Sequence, residues 1–169
     1  MVEKAMQIDQ EWIPQGCELI CDYLTAIAEM DRIEPYAERS RRWKQLVTES
    51  EAQLPSISAD AKLLPHELAE EGISTLAEVL KGFPQVGRAY VVRRELPALP
   101  HRRFYYVCVE WRTHSLVLNE GRLINKIASS VSFSDGAAWF FAIGSDWWLR
   151  ERLKRVPGSL VYKRPLFGR

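Results

Sequence analysis

A chain of 169 residues, 47% hydrophobic and 27% charged, is long enough for one domain with a sizeable core, or for one domain and a helical extension. Its longest apolar run, Ala137 to Ile143, falls far short of the roughly 20 residues of a membrane helix, which argues against a membrane partner. The formal net charge of +1 hides a division: residues 1–80 carry 7 Lys or Arg against 16 Asp or Glu, whereas residues 81–169 carry 16 against 6. Such asymmetry implies either a basic surface for an anionic partner or two halves that attract one another.

The opening stretch MVEKAMQIDQEW is charged and lacks the apolar segment of a secretory signal, so a cytoplasmic location is expected. Cys17, Cys21 and Cys108 leave one thiol over in any pairing scheme, and each sits in an apolar pattern. A reducing compartment and three core thiols are therefore expected. Cys17 and Cys21 stand four apart, but no nearby His or Cys completes a tetrahedral set, and neither metal nor cofactor is expected.

From Pro14 to about Ile33, Cys17, Ile20, Cys21, Leu24, Ile27 and Ala28 recur on one helical face. A second helix starting at Pro35 places Tyr36, Trp43, Leu46, Val47 and Leu54 on a stripe among charges. The two make an acidic helical hairpin over residues 1–55. PSISADAKLLPHE then reads as a connection of about ten residues and a domain boundary.

A third helix has Thr75 and Glu78 at capping-box spacing, an apolar face of Leu76, Val79, Leu80 and Phe83, and Gly82 with Pro84 as its stop. GRAYVVRREL and RFYYVCVEWR, joined by PALPH, read as an antiparallel hairpin. Its second strand is apolar on both faces and so belongs at the centre of a sheet. A helix beginning near Asn119 follows, with a tight turn at Asn119-Glu120-Gly121 as the competing reading. AAWFFAI is then a buried strand, DWWLRERLKRV a helix and SLVYKR a last strand.

The whole is an α+β protein: an N-terminal helical hairpin, then a basic domain over 65–169 built as a two-layer α/β sandwich, α-β-β-α-β-α-β. Its sheet is mixed or antiparallel, and the two parts are expected to pack as one globular unit.

No phosphate loop, dinucleotide fingerprint, zinc-protease helix or nucleophile elbow occurs in the chain; AIGSDWW lacks the second glycine of the elbow. His66, His101 and His114 fall in loops or at element edges. Ser115 and Asp135 complete a triad with His114 only on paper, so an enzyme of unknown type is the third-ranked reading.

The hairpin mixes Arg93, Arg94, His101, Arg102, Arg103 and Arg112 with Phe104, Tyr105, Tyr106 and Trp111, a combination that can clamp phosphates and stack bases of single-stranded RNA. RFYYVCV is similar to the RNP1 strand of RNA-recognition motifs. It departs from that strand at Arg103, Tyr105 and Val109, so Phe104 and Tyr106 are read first as core.

HELAEEGISTLAEVLKGFPQVGRAYVVRRE, with an echo at Val161 to Arg164, resembles the C-terminal domain of the enhanced serine sensitivity protein B (SseB) family. Pro84, Val86, Ala89 and Tyr90 carry the likeness over about residues 66–110. The resemblance implies a cytoplasmic bacterial interaction or regulatory protein with no catalytic residues to carry over.

On the last helix, Ser145 or Asp146 suits the N-cap, and Arg152, Lys154 and Arg155 suit the negative end of the dipole. Leu149, Leu153 and Val156 form its buried stripe, with Trp148 at the edge, placed to stack on Arg152. Trp147 projects about 160° from Leu149. A tryptophan there is covered by the acidic hairpin or offered to a partner.

The leading reading is a non-enzymatic interaction or regulatory module. Its contacts to an acidic protein partner, or to a second copy, come from Trp147, Arg150, Lys154, Arg93, Arg94, Arg102 and Arg103. Single-stranded nucleic acid is the alternative.

Overall fold

Hydrogen-bonding capacity dictates what the apolar strand RFYYVCVEWR can do: buried on both faces, it must pair along both edges. The computed structural model, which describes residues 1–97, 99–112, 119–134, 136–144 and 146–165, places it so. The chain divides into two compact units, Met1–Leu54 and Pro55–Arg169.

The first unit holds α1 (Val2–Ile8), α2 (Ile13–Ala26) and α3 (Glu34–Glu51), with short 3-10 turns at Gln10–Trp12 and Met30–Arg32. The expected hairpin is α2 and α3. Sequence periodicity does not reveal α1, whose seven residues are too few to hold a helix without packing. Met6, 1% exposed, supplies that packing against Ile13 and Cys17. A Cβ at Gly16 would come within 2.6 Å of the Met6 side chain, so the glycine permits the close crossing. The Tyr36 hydroxyl donates to Glu3 at 2.6 Å, tying α1 to α3.

α2 ends earlier than expected. Ala28 takes φ 61°, and the Glu29 N–H turns back to the Leu24 carbonyl. Ile27 consequently leaves the apolar stripe and is 43% exposed.

In the second unit the elements run β1 (Leu63–Leu64), α4 (Glu70–Lys81), β2 (Val86–Arg94), β3 (Phe104–Trp111), α5 (Glu120–Ala128), β4 (Ala137–Ala142), α6 (Trp147–Arg155) and β5 (Leu160–Lys163). From α4 onward this is the order expected from sequence. β1 is an addition: the connection expected there contains two residues that pair antiparallel with Arg93 and Arg94.

The sheet is mixed. β2 pairs antiparallel with β1 and β5 along one edge and with β3 along the other, and β3 pairs in parallel with β4. One face, with Ala89, Val91, Tyr105, Val107 and Val109, lies under Leu76 and Leu80 of α4 and Ile124 and Ile127 of α5. The opposite face carries Tyr90, Val92, Tyr106 and Cys108, with Tyr106 meeting Phe141 edge-on at 5.0 Å.

Three local expectations change. α4 starts at Glu70 with Ala69, in extended conformation, as N-cap, so Thr75 lies inside the helix and caps nothing. The start is set by Glu70 and Glu71 at the positive end of the dipole. β4 is half-buried rather than fully buried, because among the described residues it pairs only with β3. At α6 the N-cap is Asp146, but its side chain makes no capping bond; Ser145 lies outside the described residues. At α5, by contrast, the helix begins near Asn119 as expected, and Asn119 caps it by accepting from the Arg122 N–H at 2.9 Å.

Arg164 closes the unit. Its guanidinium donates to the carbonyls of Leu80, Lys81, Phe83 and Val86 at 3.0–3.2 Å, so one side chain satisfies the C-terminal end of α4. The aliphatic-to-guanidinium reach also places it 5.9 Å from the Tyr162 ring centre. Arg164→Ala is expected to destabilise the unit by about 2 kcal/mol in urea unfolding, in the range for loss of hydrogen bonds from a charged donor. Arg164→Lys should recover only part of this, since an ammonium cannot reach four carbonyls in a fork.

All three cysteines are free; Cys17 and Cys108 are buried and Cys21 half-buried. Burial pushes the Cys108 thiol up to about 12, so it stays protonated at pH 8. A thiol titration of the native protein at pH 8 should therefore show Cys21 reacting first, with Cys17 and Cys108 reacting only on unfolding. Rapid native labelling of Cys108 would contradict this packing.

Candidate functional site

α6 is a nine-residue helix fastened on one side and open on the other. Leu149 and Leu153 are 4% and 0% exposed, and Val156 follows them on the same stripe. Arg152 donates to the carbonyls of Ser58, at 3.0 Å, and Ala61, and its guanidinium lies 5.7 Å from the Trp148 ring centre, the stacked contact expected from spacing. Glu110 of β3 binds Arg88 at 3.3 Å and Arg150 at 3.4 Å, joining strand and helix through one carboxylate. The Ser159 hydroxyl donates to the Leu153 carbonyl at 2.6 Å and closes the helix end.

With that side held, Trp147 must point away. It is 72% exposed, so nothing in its own unit covers it. Glu151 and Lys154, paired at 2.7 Å, share its outward face. Beyond Lys154 the surface falls into an open cleft of 450 Å³ lined by Arg88, Lys154, Lys163, Tyr90 and the Val156–Leu160 turn. Gly158 takes φ 72° in that turn, a conformation that suits glycine.

The other proposed contact residues do not gather at this place. Arg93 and Arg94, neighbours on a strand, project to opposite faces of the sheet. Arg94 is 5% exposed and donates to the Ser56 carbonyl at 3.0 Å and the Tyr106 hydroxyl at 3.1 Å. It satisfies interior oxygens, and the expectation that it meets a partner is corrected. Burial pushes the Tyr106 hydroxyl above its ordinary range, an effect that nearby Arg94 opposes. Arg93 pairs with Glu67 at 3.4 Å on the far face. Arg102 and Arg103 lie where the chain enters β3 and have internal contacts of their own.

The base-stacking surface also dissolves. Phe104, Tyr105 and Tyr106 are 4%, 0% and 0% exposed, and the indole N–H of Trp111 is buried. They are core, as the departures from the RNP1 pattern suggested. Of the histidines, His66 is buried with Nδ1 accepting from the Leu68 N–H at 3.0 Å, His101 is exposed, and His114 lies outside the described residues with Ser115 and Asp135. Neither His66 nor His101 lines the cleft. Among the described residues no group of three His, Cys, Asp or Glu is placed to hold a metal ion.

Compared with models of protein families, with curated proteins and with solved structures, the chain matches none. Val86, Ala89 and Tyr90, three of the positions that carry the resemblance to the SseB family, are 0–2% exposed, and Pro84 stands in the turn before β2. Among the described residues no helix is long and apolar enough to cross a membrane.

Sequence reasoning missed Arg88 and Lys163, because their convergence needs the pairing of β5 with β2, sixty and more residues apart in the chain. It also missed a stripe on the first unit, where Trp12, Leu19 and Tyr23 are 52–64% exposed. Steady-state fluorescence with acrylamide should find strong quenching from the two exposed tryptophans, Trp12 and Trp147, and the Trp147 share should disappear in Trp147→Phe. An acrylamide-accessible fraction unchanged by that substitution would mean that Trp147 is covered.

Proposed function

We propose that the protein is a non-enzymatic interaction or regulatory module that binds a protein partner through the outward face of α6, with Trp147 as its apolar anchor and Arg150 and Lys154 beside it. The observation that carries this reading is the exposure of Trp147 on a helix whose opposite side is fixed by Leu149, Leu153 and Arg152. An aromatic held on a rigid platform loses little freedom on binding, and tryptophan is among the commonest anchors of protein interfaces. Arginine and lysine around it supply the polar rim that steers an acidic partner.

The nucleic-acid alternative is weaker because the hairpin aromatics that would stack on bases are buried. A cytoplasmic setting is supported by the free thiols. The resemblance to the SseB family, which implies an interaction or regulatory protein, points the same way.

Affinity capture with the full chain tests the reading. A protein retained by the wild type, insensitive to nuclease and lost with Trp147→Ala, is the expected result. Capture that nuclease abolishes, with a steep dependence on salt, would replace it with the nucleic-acid reading.

A further inference from the structure

β2 and β5 set two like charges against each other. Arg88 and Lys163 are directly opposite in the antiparallel pair, so both side chains leave the same face of the sheet, and α6 brings Lys154 to the same cleft. Like charges in directly opposed positions repel, and they persist most readily where something neutralises them. The chain does so only in part: Glu110 is shared by Arg88 and Arg150, Glu151 serves Lys154, and among the described residues Lys163 has no acidic partner. The cleft is therefore net positive.

Part of the turn's own hydrogen-bonding capacity is already engaged. The Ser159 hydroxyl and the Val156 N–H both donate to the Leu153 carbonyl, and the Ser159 carbonyl accepts from the Val91 N–H at 2.7 Å. The charged groups of the lining are two ammonium groups and a guanidinium. Carbonyls at the α6 terminus add partial negative charge nearby, which moderates the pull on any anion without reversing it. The one aromatic in the lining, Tyr90, is 2% exposed and offers no stacking platform for a base.

We propose that this cleft receives the carboxylates of an acidic peptide segment of the partner while an apolar residue of the same segment rests on Trp147. The inference builds on the reading of α6 as a docking face and names what docks. Trp147 and Lys154 are seven residues apart, which puts them within about 20° on the helix and about 10 Å apart along its axis. An extended peptide advances about 3.3 Å per residue, so the first carboxylate stands about three positions from the apolar anchor.

Fluorescence anisotropy with the full chain and a labelled octapeptide, carrying one leucine and a Glu-Glu-Glu run beginning three positions later, tests this. The wild type should bind it, and a Gln-Gln-Gln version should bind at least about tenfold more weakly, as should the original peptide to Lys163→Glu. Trp147→Ala should weaken the leucine peptide but not a version with alanine in its place. Lys163→Gln, whose folding circular dichroism can verify, should fall between wild type and Lys163→Glu. Equal binding of the Glu and Gln peptides, equal binding by Lys163→Glu, or preference for an octauridine RNA would each overturn the proposal. Partner capture that depends on Trp147 without any peptide affinity would remove the acidic segment and leave the docking face standing. Peptide binding that depends on Lys163 but not Trp147 in either peptide would keep the cleft and remove the anchor.

Discussion

The second unit is organised by the obligation to satisfy β3. Tyr105, Tyr106, Val107, Cys108 and Val109 are all 0% exposed, so no water reaches their main-chain groups and both edges need a strand. β2 supplies one edge and β4 the other. From this follows the mixed sheet: β2 arrives by a hairpin and must be antiparallel, whereas β4 arrives through α5 and can be parallel. The aromatic rings then settle by face, Tyr105 with Phe133 on one side and Tyr106 with Phe141 on the other, at 5.6 and 5.0 Å. Gly136, whose Cβ would lie 2.6 Å from the Arg103 carbonyl, lets β4 begin close beside β3.

β2 inherits the next constraint, because its outer edge is also largely buried and no single long strand covers it. Two short strands divide that edge between them, β1 at the Arg93–Arg94 end and β5 at the Arg88–Tyr90 end. The position of β5 fixes that of α6, since only the turn at Val156–Ser159 separates them. α6 is thus drawn to the Arg88 end, where Glu110 holds it through Arg150. Trp147 faces outward because the other side of its helix is already committed to Leu149, Leu153 and Arg152.

Patterns that repeat within one element were legible from sequence, and those that need two distant elements were not. The double-sided apolar character of β3, the start of α5 near Asn119, the Leu149–Leu153 stripe and the stacking of Trp148 with Arg152 all follow from spacing of a few residues. α1 escaped notice because its stability comes from one methionine on Gly16 rather than from a periodic face. β1 escaped because two leucines become a strand only when β2 offers its edge. The arginine cluster does not form for a related reason: adjacency in sequence puts Arg93 and Arg94 on opposite faces of a strand, while Arg88 and Lys163 meet across two paired strands. Trp147 was identified because its conflict with the helix's own apolar stripe is visible on a helical wheel.

The charge division also changes meaning once the units are known. Met1–Leu54 carries 6 Lys or Arg against 11 Asp or Glu, and Pro55–Arg169 carries 17 against 11. Several cations of the second unit are bound without being neutralised. Arg94, Arg152 and Arg164 donate to main-chain carbonyls of Ser56, Ser58, Ala61, Leu80 and Val86, among others, which satisfies hydrogen bonds but leaves each full positive charge in place. Carboxylates that would cancel them are used elsewhere, Glu110 on two cations at once. The positive potential of this unit is therefore a consequence of how its carbonyls are capped, and it surfaces at the cleft where Arg88, Lys154 and Lys163 converge. An interior held together by arginine–carbonyl bonds thus satisfies its oxygens while leaving its charge uncancelled.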